Sequence, residues 1–131
     1  MVEGLITVPS NRSAVDTIGR LESELAAKGV TVFARIDHAA NAVAAGMALR
    51  PTYALIFGNA KAGTPLMQVE PSIGIDLPLK ALVWQDASGK TWLSYNDPAW
   101  LARRHGLGTR SEAVVTAMAA LLAALAKAVT A

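Results

Sequence analysis

The sequence contains no cysteine and two histidines, His38 and His105. The missing cysteines exclude a disulfide scaffold, a thiol nucleophile, and any thiolate-held metal or iron–sulfur centre. Charge is scarce: 17% of residues are ionic, against about 25% in an average soluble domain. With so little charge and 53% apolar residues, the chain does not fit a disordered composition. Neither sign dominates, since 12 basic and 10 acidic residues leave +2. Each half of the chain, 1–65 and 66–131, holds six basic and five acidic groups. A nucleic-acid binder concentrates its basic charge on one face, so this scatter argues against a nucleic-acid partner. The longest uncharged, mostly apolar run is Ala113–Ala126, 14 residues. That is shorter than the roughly 20 that cross a bilayer, and no membrane partner is expected. The start, Met1 to Gly4, carries neither a basic segment nor a long apolar one. The expectation is a cytoplasmic protein.

What the chain does have is alanine, 26 residues of 131. The length suits one domain, residues 1–131, able to bury about two-thirds of its unfolded surface. Leu5–Val8 predicts a strand stopped by Pro9. Ser13 with Asp16 three residues on predicts a capped helix, and Val15, Ile18, Leu21 and Leu25 make one apolar stripe. Gly29 supplies its stop. Val30–Asp37 alternates as a strand does, and Ala39–Leu49 reads as a short helix closed at Arg50–Pro51. Tyr53–Phe57 reads as a buried strand, with a short buried helix as its alternative. Thr64–Pro65 reads as the N-cap and first position of another helix. Leu79–Gln85 and Lys90–Tyr95 form a hairpin over Asp86–Gly89, and Pro98 opens a helix ending near Gly106. Thr109–Glu112 caps the last helix. The fold class is α+β: a two-layer domain, a mixed sheet with helices packed on it, and a long C-terminal alanine-rich helix. Its parallel element would come from the first strand, the long helix and the second strand.

Several residues are candidates for chemistry. Gly58-x-x-x-x-Gly63-Thr64 lies between a strand and a helix start, yet no lysine follows Gly63, so the Walker pattern fails. An anion held by free backbone N–H groups at Thr64–Leu66, with Lys61 nearby, remains open beside an ordinary tight loop. Asp37-His38 stands where strand meets helix. His38 reads as a general base and equally as a first-turn surface residue; Asp37 reads as its helper and equally as an N-cap. His105, beside Arg103 and Arg104, reads as a cation at a helix C-terminus. Ser72 and Ser94 sit on no strand-to-helix elbow, which argues against serine nucleophiles. Two histidines without ligand spacing give no metal site, and neither metal nor haem is expected as a cofactor. Trp84, Trp92 and Trp100 read as core or interface anchors, or as a platform for a planar ligand.

Five segments in order carry a resemblance. These are Asp37–Ala40, Leu49–Thr52, Ile56–Met67, Ile75–Lys80 and Trp92–Pro98. Together the chain resembles, over roughly residues 2–107, the bacterial family catalogued as domain of unknown function three-hundred-and-two. The resemblance implies a compact α+β fold and a homodimer, and supplies no reaction. The shared segments gather at strand ends, as a cleft would require, and the residues expected to form its site are Asp37, His38, Asn59, Lys61, Thr64 and Asp97. The leading expectation is a homodimer binding a small anionic or planar ligand through Asn59, Lys61, Gly63 and Thr64. The alternative is an enzyme using His38 as general base, with Asp37 or Asp97 assisting. A partner-binding dimer without a ligand is the third. The alanine stripe of the last helix, Ala113, Ala117, Ala120, Ala124 and Ala128, would be covered by a second copy or by the alanine-rich helix.

Overall fold

A computed structural model describes residues 2–131. In chain order the elements are β1 (Leu5–Ser10), α1 (Ala14–Ala27), β2 (Thr31–Asp37), α2 (His38–Ala44), β3 (Thr52–Gly58) and α3 (Ala60–Val69). A 3-10 turn (Pro71–Ile75) then leads to β4 (Leu79–Gln85), β5 (Thr91–Asn96), α4 (Pro98–Arg104) and α5 (Glu112–Thr130).

Local chemistry explains most boundaries. Ser13 Oγ accepts the Asp16 N–H at 3.1 Å, so α1 begins as its sequence predicts. Asp16 does not complete a capping box; its carboxylate pairs with Arg12 one turn back. Gly29 at φ +69° takes the left-handed position that ends the helix. The alanine-rich helix is shorter than expected: it stops at Ala44, with Gly46 at φ +78° just beyond. Ser111 precedes α5 without capping it through its side chain, so the capping box read at Thr109–Glu112 is absent.

The fold is α+β, but its sheet is wholly antiparallel rather than mixed. The order is β1-β5-β4-β3-β2, and every neighbouring pair runs antiparallel. β1 and β2 run the same way and are separated by three strands, so the chain through α1 crosses the sheet instead of joining neighbours. The apolar β4–β5 hairpin fills the middle positions that a β1–β2 pair would have closed.

One sheet face is buried beneath helices. Leu55, Phe57, Leu79, Ala81, Val83, Leu93 and Tyr95 meet Ile18, Leu21 and Leu25 of α1 and Met118, Leu122, Leu125 and Val129 of α5. At about 1.5–3 kcal/mol for each fully buried large aliphatic side chain, this layer supplies the main stabilisation. α5 spans 19 residues and is long and apolar enough to cross a membrane by length and composition. Here it packs along α1, α4, β1 and β5. Its Ala113, Ala117, Ala120 and Ala124 stay exposed, because the alanine-rich α2 lies against β3 instead of covering them. On the opposite sheet face Trp84 and Trp92 stack with centroids 6.1 Å apart, and Trp84 Nε1–H donates to the buried Ser94 hydroxyl at 2.9 Å.

Candidate ligand cavity

The register sorts the candidate residues by sheet end. Thr31 lies opposite Gly58, Phe57 opposite Leu79, and Leu5 opposite Asn96, so these mark one end. Asp37 lies opposite Tyr53, and Trp84 opposite both Thr52 and Trp92, at the other. At about 3.4 Å per residue, six residues of strand separate the ends by roughly 20 Å.

Asn59, Lys61, Gly63 and Thr64 therefore share one end, and they line one cleft of about 650 Å³. Its walls are the start of β2, the β3–α3 junction, Leu77–Leu79 and the first half of α5. The cleft forms because β3 breaks directly into α3. Asn59 adopts an extended conformation and its Oδ1 accepts the Lys61 N–H at 2.9 Å, capping the helix. Gly58 lets the neighbouring segment come close, since a Cβ there would sit 3.3 Å from Pro78 Cβ. Across the cleft, α5 presents Ala113 and Ala117, whose short side chains leave the space open.

This geometry corrects the reading of the glycine run. Gly58–Thr64 is not a loop, and Thr64 is not a cap: Ala60–Gly63 already form the first turn of α3. The Gly63 N–H is taken by the Asn59 carbonyl at 3.0 Å. Pro65 sits inside the helix, where it forgoes one bond to the preceding turn. No cradle of free N–H groups exists at Thr64–Leu66. What remains polar is the Lys61 side chain, with Asn59 and Thr64.

The rest of the lining is apolar, and sequence reading missed it. Phe33, Met67, Leu77, Val114, Met118 and Leu121 face the space. Phe33 is the extra residue of a bulge in β2, where the register shifts between Val32 and Ala34, and it remains 57% exposed. A bulge re-aims a side chain, here placing an aromatic ring at the cleft mouth. An exposed phenylalanine breaking an alternating strand was the available signal.

The other candidates lie elsewhere. Asp37 and His38 stand at the far sheet end, so the structure does not join them to the Asn59–Thr64 group. Asp37 Oδ1 accepts the Ala40 N–H at 2.9 Å and caps α2, while His38 is its exposed first residue. Asp97 follows β5 at the near end and caps α4 through the Ala99 N–H at 3.0 Å. The expected pairing of His38 with Asp97 is thus broken by the antiparallel register. Burial, with the Asp97 charge adding to it, pushes the neighbouring Tyr95 phenol up from its ordinary value. Among the described residues, no three of His, Asp and Glu gather in a way that could hold a metal ion.

An antiparallel sheet with two long helices on one face and an apolar cleft at one sheet end defines the class as a small α+β domain. The family follows: residues 6–125 match the model described as Domain of unknown function DUF302, and the chain belongs to that family. It is 51% identical over 115 residues to Fluoride-specific ion channel FluC 1 of Brucella suis biovar 1 (strain 1330), covering 88% of this chain and 45% of that protein. Fluoride-specific ion channel FluC 2 of Brucella melitensis biotype 1 is likewise 51% identical over 115 residues, or 43% of its length. The chain thus spans less than half the length of these curated relatives. A crystal structure of the uncharacterized conserved protein DUF302 from Bacillus stearothermophilus superposes with a TM-score of 0.83 at 21% identity, covering 96% of this chain and 98% of that one. That likeness is one of fold.

Proposed function

We propose that the domain binds a small, mainly apolar molecule carrying an anionic head group. The observation behind this reading is the cleft of about 650 Å³, whose lining is apolar apart from Asn59, Thr64 and a single cation, Lys61. Its size falls within the roughly 300–1,000 Å³ of ordinary small-molecule sites, where a few polar groups orient an apolar body. Phe33, Met67, Leu77, Met118 and Leu121 would take that body, and Lys61 would meet the head.

Decanoate and decanol serve as probes, read by calorimetry and thermal shift. Decanoate is expected to bind and raise the melting temperature, and decanol to bind about tenfold more weakly, a difference of about 1.4 kcal/mol. Lys61→Ala should bring decanoate down to the level of decanol, and Ala117→Phe, which fills the cleft, should abolish both. Absence of binding, or equal binding by Ala117→Phe, overturns the reading. The homodimer belongs to the same proposal, supported by the exposed alanine face of α5. A light-scattering mass of 13.7 kDa at micromolar concentration would overturn that part.

The identity with proteins named fluoride-specific ion channels favours a second reading, in which this domain is the ligand-sensing portion of such a channel. Fluoride flux from vesicles holding the full-length Brucella relative, with and without decanoate, tests it. Flux that ignores both the ligand and a substitution filling the cleft rejects it.

A further inference from the structure

Outside the cleft, three side chains of different chemistry meet between the 3-10 turn and the end of α4. His105 Nδ1 lies 2.8 Å from Ser72 Oγ, and its Nε2 lies 2.6 Å from Asp76 Oδ2. Neither Ser72, Asp76 nor His105 lines the cleft. The imidazole is held on both sides and its side chain is 7% exposed, while Ser72 faces solvent. Asp76 is fixed in turn by Arg104, whose NH1 lies 3.0 and 2.9 Å from the two carboxylate oxygens.

The partners assign the ring protons. In the neutral imidazole, an Nε2–H aimed at the accepting Asp76 carboxylate leaves the Nδ1 lone pair for the serine hydroxyl. This is the chain of roles found in serine hydrolases, with the two ring nitrogens exchanged. A buried, oriented base beside an exposed hydroxyl is the arrangement that nucleophilic catalysis requires.

We propose that Ser72 is a nucleophile toward small activated acyl esters, with His105 as its general base and Asp76 as the residue that positions the imidazole. The Ser72 oxygen forms a bond to the acyl carbon while Nδ1 takes its proton. The carbon–oxygen bond to the alcohol breaks, and the alcohol leaves with that proton. Water then attacks the acyl-serine, passing a proton through Nδ1 back to Ser72, so that ester and water give acid and alcohol.

Glu70 limits the substrate. Its Oε2 accepts the Ser72 N–H at 3.1 Å, and this backbone hydrogen bond leads in holding its carboxyl below the usual value. That ionised neighbour repels anionic esters and occupies an amide that would otherwise stabilise an oxyanion. Uncharged esters with good leaving groups are therefore the class that fits.

A neutral fluorophosphonate tests the assignment without a known substrate. The serine oxygen bonds to phosphorus, fluoride leaves, and the serine proton passes to the imidazole. Mass spectrometry should place the adduct on Ser72 and not on the exposed Ser13 or Ser88. His105→Gln should slow labelling at least 100-fold, in keeping with general-base contributions of about 10²–10⁴, and Asp76→Asn by about tenfold or more. Circular dichroism checks that each variant is folded. Wild type in urea keeps the hydroxyl but loses the base, and should label no faster than the isolated peptide. Acetate release from p-nitrophenyl acetate should vanish in Ser72→Ala. An unlabelled Ser72 in the folded wild type, labelling unaffected by His105→Gln or by urea, or ester cleavage that survives Ser72→Ala overturns the proposal.

Discussion

The carboxylate of Asp76 accepts from His105 Nε2 at 2.6 Å, tying the segment before β4 to the end of α4. The bond spans 29 residues of chain, and Asp76 is only 14% exposed on its side chain. Asp76→Ala leaves the imidazole without its partner, and should lower unfolding free energy by about 1–3 kcal/mol in urea titration. Arg104 is 49% exposed, so Arg104→Ala should cost about 1 kcal/mol or less. Equal losses in the two variants would contradict this ranking.

The β4–β5 turn responds to acid. Asp86 accepts from Trp92 Nε1–H at 2.8 Å, from the Ser88 hydroxyl and from the Ser88 and Lys90 amides. Led by the Trp92 bond, these hold its carboxyl at about 2 instead of 3.8. A depressed folded value means the contribution is present above the unfolded value and is lost as pH falls through the folded one. Tryptophan fluorescence should therefore report loosening of the turn between about pH 4 and pH 2. Asp86→Asn should remove that transition.

Two glycines with positive φ separate strain from crowding. Gly29, at φ +69°, has open space where a Cβ would stand, whereas at Gly4, φ +74°, a Cβ would lie 2.3 Å from a Trp100 ring carbon. Gly29→Ala should cost about 1–2 kcal/mol, the price of a left-handed alanine. Gly4→Ala must also displace the indole, and should cost clearly more, with altered Trp100 fluorescence. Similar melting temperatures for the two variants would contradict the packing described.

Ala117 offers a test of the cleft that needs no ligand. It is exposed on α5 and lines the opening. Ala117→Leu adds apolar contact with Phe33 or Met67 without disturbing the buried face. The melting temperature should hold or rise, while decanoate binding falls. A large loss of stability would mean that α5 is not placed as described.

How much of this was legible in the sequence varies with the range of the interaction. α1 was readable because its cap, stripe and stop are all local: Ser13, Ile18–Leu25 and Gly29. α3 was misplaced because Thr64–Pro65 has the form of a helix start, while the true cap, Asn59, lies in what resembled a glycine loop. Strand pairing was not readable, since β1–α1–β2 spacing is compatible with a parallel pair until β4 and β5 compete for the centre. Asn59, Lys61 and Thr64, the polar residues of the cleft, were named from sequence with Gly63, but Met67, Leu77 and Met118 look like any core residue until the fold leaves them facing space. Ser72, Asp76 and His105 have no characteristic spacing, and only the chain path joins them.

The edge strand β2 and helix α2 share a property with a consequence for motion. Neither contributes a single fully buried residue, although together they run from Thr31 to Ala44. Segments with few buried apolar contacts open at lower free energy than the core. Amide hydrogens of β2 beyond its bulge should exchange through local opening, well before those of β4 and β5 at the sheet centre. The Phe33 side of the cleft is then its most easily opened wall, and the proposed ligand, seated against Phe33, should slow exchange in β2 first.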